Sequence, residues 1–119
     1  MATRAIPLSV HAGLETIAAP IVMAAPFALG FGAAATIACV AIGAVLLGLA
    51  LQVPGPRRII PLAAHASFDY ALAAFAAIAG TLIGFATGSW VATVFLVGMG
   101  AAHVLLTAST RFSAPRGTY

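Results

Sequence analysis

The sequence predicts an all-α membrane protein with four transmembrane helices, built from two parallel-repeat helical hairpins in one membrane domain spanning 1–119. Three observations carry this prediction. Hydrophobic residues make up 63% of the 119 positions and charged residues only 6%. Soluble domains carry about 25% charged residues, so this chain cannot cover a water-facing surface. Its apolar composition equally excludes a disordered chain. Second, four apolar runs each approach the roughly 20 residues that a helix needs to cross a bilayer. Third, the chain matches itself when shifted by 54 positions.

The first run covers 5–29 and is interrupted by His11, Glu15 and small hydroxyl residues. The second covers 33–53 and holds no ionisable group beyond Cys39. The third covers 59–83 and contains His65, Asp69 and Tyr70; the fourth covers 89–110 and contains His103. Gly30–Gly32 is expected as one turn, Gln52–Arg58 with its prolines as the second, and Gly84–Gly88 as the third. Strands are not expected, because a membrane barrel alternates apolar with polar residues. Pro7 and Pro61 suit a helix start, where a missing N–H costs nothing. Pro20 and Pro26 fall inside the first run and predict a kink or an early end.

At the 54-residue shift, Arg4, Ile6, Pro7, Leu8, His11 and Ala12 fall on Arg58, Ile60, Pro61, Leu62, His65 and Ala66. Glu15 falls on Asp69, and Gly30 and Phe31 fall on Gly84 and Phe85. Repeat 1 is thus 4–53 and repeat 2 is 58–110, related by an axis along the membrane normal. The match also argues against a cleaved signal peptide, since the first run is the counterpart of the third. The symmetry breaks where Leu49 falls on His103.

All basic residues are arginines: Arg4, Arg57, Arg58, Arg111 and Arg116. With four crossings they share one side, and the positive-inside rule makes that side cytoplasmic, for an N-in/C-in multi-pass topology. They form no stripe with interleaved aromatics, so no nucleic-acid partner is expected. Phe85 and Trp90 mark the outer interface. The expected partner is the lipid bilayer. Gly80, Gly84 and Gly88 form a smooth ridge, read first as packing inside the bundle, with a homo-oligomer or larger membrane complex as the alternative.

At 1.5 Å per residue, His11, Glu15, His65, Asp69 and His103 fall at matching levels in the inner half of the bilayer. His11 and Glu15, like His65 and Asp69, are four residues apart and share a helix face. Groups this costly in lipid should turn inward and pair. Three readings remain open. The cluster could pair helices in an accessory or structural subunit. It could bind a transition metal through His11, Glu15, His65, Asp69 and His103, or a haem b between His11 and His65. It could serve a proton-coupled small carrier. Nothing resembles a nucleophile–base triad or a phosphate loop, so hydrolytic enzymology is not expected. Cys39 alone can form neither an internal disulfide nor a thiolate metal site.

Ala25, Pro26 and Phe27, followed by Ala28, Leu29, Gly30 and Phe31, resemble the Ser-Pro-Trp motif of SPW-repeat membrane proteins. Those proteins are built of two-helix units in which the motif ends the first helix before a short turn. Ala79, Gly80 and Thr81 stand at the corresponding place of the second half and depart from the motif. The resemblance implies a two-hairpin plan and no particular activity.

Overall fold

The computed structural model describes residues 4–53 and 60–112. The element order is β1 (Ile6–Pro7), α1 (Leu8–Leu29), α2 (Ala33–Gln52), α3 (Leu62–Thr87), α4 (Trp90–Ala108) and β2 (Thr110–Arg111). All four helices are long and apolar enough to cross a membrane, which fits a small membrane protein.

Pro7 and Pro61 are the N-cap residues of α1 and α3, in extended backbone just before the first helical residue. Helix α1 runs unbroken through Pro20 and Pro26, so the early end foreseen as one outcome does not occur. It stops at Gly30, whose φ of 69° lets its N–H return to the Pro26 carbonyl. The Phe31 N–H reaches the same carbonyl at 2.8 Å. The second turn was expected over 52–58, and 54–58 lie outside the described residues.

The third turn requires a correction. Helix α3 does not end at Gly84 but continues to Thr87, and only Gly88 turns, with φ 74°. Gly84 is a packing glycine: a Cβ there would collide with the Thr93 hydroxyl and the Trp90 ring of α4. A second correction concerns strands. Ile6–Pro7 and Thr110–Arg111 form a short parallel bridge, reinforced by the Ile6 N–H donating to Ser109 O at 3.0 Å. The bridge puts the start of α1 and the end of α4 at one end of the bundle.

The closest packing is α1 against α2 and α3 against α4; α2 touches α3 more lightly. Glycines set both close approaches. A Cβ at Gly43 would come within 2.9 Å of Ala19 O, and one at Gly100 within 2.7 Å of Ala73 O. One at Gly80 would come within 2.7 Å of Leu96 Cβ. The Thr93 hydroxyl donates to Gly80 O at 2.7 Å, tying α4 to α3. The apolar core gathers Val22, Cys39, Ile42, Ala76 and Leu96, with Phe31 and Phe95 packed edge-to-face beside it.

Each helix buries one stripe. In α1 it is His11, Glu15, Ala19, Val22 and Pro26; in α3 it is His65, Asp69, Ala73, Ala76 and Gly80. The outward faces carry Ile17, Phe27, Ile37, Phe85, Val94 and Leu105, all more than half exposed. Polar groups inside and bare aliphatics outside suit a hydrocarbon solvent.

The glycine contacts generate a prediction. Gly100→Val drives a side chain into the Ala73 carbonyl and should destabilise the bundle by about 1–3 kcal/mol. Gly98→Ala, with nothing near its would-be Cβ, should not destabilise it. Helix content followed by circular dichroism during denaturant unfolding in detergent checks both.

Candidate functional site: a buried histidine–carboxylate layer

Local helix geometry brings the first four side chains into pairs. His11 and Glu15 are one turn apart on the buried stripe of α1, and His65 and Asp69 are one turn apart on that of α3. Helix α4 presents His103 to the same layer. All five residues are buried, with Glu15 and Asp69 at most 1% exposed. The structure thus joins every site residue that the sequence singled out.

His11 is the centre of the layer. Its Nε2 lies 2.6 Å from Glu15 Oε1 and 3.0 Å from Asp69 Oδ2. The His65 Nε2 lies 3.3 Å from Asp69 Oδ2 and 3.6 Å from Glu15 Oε2. The His103 Nε2 lies 3.3 Å from Asp69 Oδ1 and 3.7 Å from Glu15 Oε1. One ligand atom from each of His11, Glu15, His65 and Asp69 can be chosen so that all lie within 4.8 Å of one another.

The tautomer of His11 follows from its second nitrogen. The Thr110 hydroxyl has one proton and donates it to Leu106 O at 2.6 Å. Thr110 Oγ1 is therefore the acceptor for His11 Nδ1, 2.8 Å away. With the proton on Nδ1, the Nε2 of a neutral imidazole is a bare lone pair. It faces two carboxylate oxygens, and three electron-rich atoms at such distances repel unless something positive stands among them. A proton can do this, and so can a metal cation. A metal-binding imidazole commonly donates its far N–H to a fixed acceptor, the position that the Thr110 hydroxyl takes here.

Four further atoms of the five-residue layer lack hydrogen-bond partners: Glu15 Oε2, His65 Nε2, Asp69 Oδ1 and His103 Nε2. Buried polar atoms without partners are costly and call for a physical explanation; this cluster of nitrogen and oxygen atoms could hold a metal ion. Nitrogen and oxygen are the only donors present, because Cys39 packs in the apolar core with Val22 and Ala76.

Sequence reasoning missed Thr110, Thr107 and Phe112. Thr107 is buried and its hydroxyl lacks a partner. Phe112 lies against the layer, its ring 5.2 Å from that of His11 and 5.9 Å from that of His65. A signal for the threonines existed: Thr107 and Thr110 follow His103 by four and seven residues and so fall on its helix face. Nothing in the sequence marked Phe112, which the β1–β2 bridge brings into place.

No family model, curated protein or solved structure matches this chain. The site must be read on its own chemistry.

The fixed tautomer is testable. Thr110→Val leaves the His11 Nδ1–H buried without an acceptor and should cost about 1–3 kcal/mol of stability. Thr110→Ser restores an acceptor and should recover most of it. Unfolding in detergent measures the loss, and the ¹⁵N shifts of His11 report whether Nδ1 keeps its proton.

Proposed function

We propose that this chain is a small integral membrane protein that holds one divalent transition-metal ion among His11, Glu15, His65 and Asp69, with His103 beside them as a fifth ligand. The observation that carries this reading is the Thr110-fixed His11, whose Nε2 faces two buried carboxylates. Zinc, iron and manganese accept mixed imidazole and carboxylate donors. Ligand bonds are about 2.1 Å long, so opposite ligands stand about 4.2 Å apart. Small side-chain movements close the present 4.8 Å spread. Two carboxylates and neutral imidazoles would leave a divalent ion electrically balanced in a medium where net charge is expensive.

A haem between His11 and His65 fits less well. Its macrocycle would need the space that the Glu15 and Asp69 carboxylates take beside His11 Nε2. A proton-coupled carrier needs a polar route across the whole bilayer, and the core beyond the layer is Val22, Cys39, Ile42, Ala76 and Leu96.

A second reading has an observation in its favour. His11 of α1 reaches Asp69 of α3, and His65 of α3 lies near Glu15 of α1. These cross-pairs join two helix pairs that otherwise touch lightly, as an accessory or structural subunit would require. The metal reading includes this cohesion and adds an ion.

The same proposal takes the fold as a duplicated hairpin with both ends in the cytoplasm. Its support is the 54-residue sequence match and the buried stripes, in which His11, Glu15, Ala19, Val22 and Pro26 correspond to His65, Asp69, Ala73, Ala76 and Gly80. The SPW-like residues 25–31 agree with a two-hairpin plan. The orientation rests on the arginines at one side, and with it the layer lies in the inner half of the bilayer. The bilayer is the partner proposed; a further protein partner would cover lipid-facing surface.

Purified protein offered zinc, manganese or ferrous iron and then desalted should retain about one ion per chain by elemental analysis. Asp69→Asn and His11→Ala should each lose it. Retention should fall as the pH is lowered, because protons compete for the same imidazoles and carboxylates. Folded protein that retains no ion from any of the three refutes the metal reading and leaves helix pairing. Reporter fusions at either end should be active only on the cytoplasmic side.

A further inference from the structure

An ion that occupies the layer must reach it from water, because a bare charge is excluded from hydrocarbon. The layer can be approached along the bundle from two directions. Away from the β1–β2 bridge, the buried stripe of α4 continues from His103 as Gly100, Leu96 and Ala92, which offer no polar side chain. Toward the bridge it continues as Thr107 and Thr110, both buried and both hydroxyls. His11 is only three residues past the start of α1, about 5 Å along the helix. The short approach is therefore at the bridge end.

Phe112 stands at that end. Its ring centroid lies 5.2 Å from that of His11 and 5.9 Å from that of His65. Phe112 is partly exposed, whereas His11 is 0% exposed and His65 2%. A ring so placed shields both imidazoles and has no donor or acceptor of its own to offer them. It also has room to move without disturbing the layer. Phe112 lies one residue beyond the last bridge pair, Pro7 with Arg111. Its ring can turn aside while Thr110 keeps its bonds to His11 Nδ1 and Leu106 O.

We propose that Phe112 is a gate between the buried layer and the aqueous phase at the bridge end. With its ring against His11 and His65 the layer is closed; with the ring turned aside, water and an ion pass. As a gate for an ion it rests on the metal reading, but as a gate for water it stands without it. Because Phe112 gives the ion no ligand atom, the gate sets how fast an ion enters and leaves and not how tightly it is held. The ring acts through its apolar bulk, so a bulky aliphatic side chain replaces it in part and a methyl group does not.

The test uses the full chain in lipid nanodiscs. In chelator-treated protein, exchange of the histidine Cε1 protons in deuterium oxide is read by mass spectrometry. Phe112→Ala should accelerate this exchange at His11 and His65 about tenfold or more, because two ring contacts hold the closed position. Phe112→Leu should recover much of the slow exchange. Leu96→Ala, which loosens the apolar core and leaves Phe112 in place, should not accelerate it. In zinc-loaded protein, Phe112→Ala should speed zinc release to excess EDTA by a similar factor and leave zinc affinity unchanged. Circular dichroism confirms that each variant is folded, and Phe112→Val takes the place of Phe112→Ala if the latter is not. Unaccelerated hydrogen exchange in the folded variant, equal acceleration in Leu96→Ala, or unchanged zinc release overturns the gate. Should the parent protein retain no zinc, hydrogen exchange alone decides, so the gate and the metal reading fail separately.

Discussion

Everything in this molecule follows from the absence of water around its helices. In hydrocarbon a polar group is satisfied by the protein or not at all. The two carboxylates and three imidazoles are therefore turned inward, and the outward surface is given to Ile17, Phe27, Ile37, Phe85, Val94 and Leu105. The usual order of a protein is inverted: the carboxylates and imidazoles form the interior of one end, and apolar side chains form most of the surface.

The bundle has two kinds of interior. Toward the end opposite the β1–β2 bridge, helices meet through small residues, with Gly43 against Ala19 and Gly80 against Leu96. Lipid tails compete well with apolar side chains, so close backbone approach is what makes one helix prefer another there. Near the bridge the contacts are polar. His11 joins α1 to α3 through Asp69 and to the end of α4 through Thr110. A single imidazole thus contacts residues from three parts of the chain.

That concentration of polar contacts gives the layer its chemical character. Helix pairing by itself would be served by fully satisfied hydrogen bonds. Here the Glu15 Oε2, His65 Nε2, Asp69 Oδ1 and His103 Nε2 atoms converge without completing such bonds. Atoms held together but left unsatisfied support the proposed metal site over helix pairing alone.

The membrane class, four helices and the shared level of the ionisable residues could be read from the sequence, because apolar run length and rise per residue are local quantities. Pro7 and Pro61 marked helix starts for an equally local reason. Other features depended on contacts between distant segments. Gly84 resembles a turn glycine in sequence, yet it lies within α3, where its missing Cβ lets Thr93 and Trp90 of the next helix approach. Thr110 was one hydroxyl among several until α1 and α4 came together and made it the acceptor for His11 Nδ1. Phe112 reached the layer only because Ile6 and Thr110 pair across the bundle end. The sequence by itself determined which residues lie on which helix face and at what depth, since helix periodicity fixes both. Tertiary structure decided which faces meet, and therefore which nitrogen of His11 carries the proton and which buried atoms lack a partner.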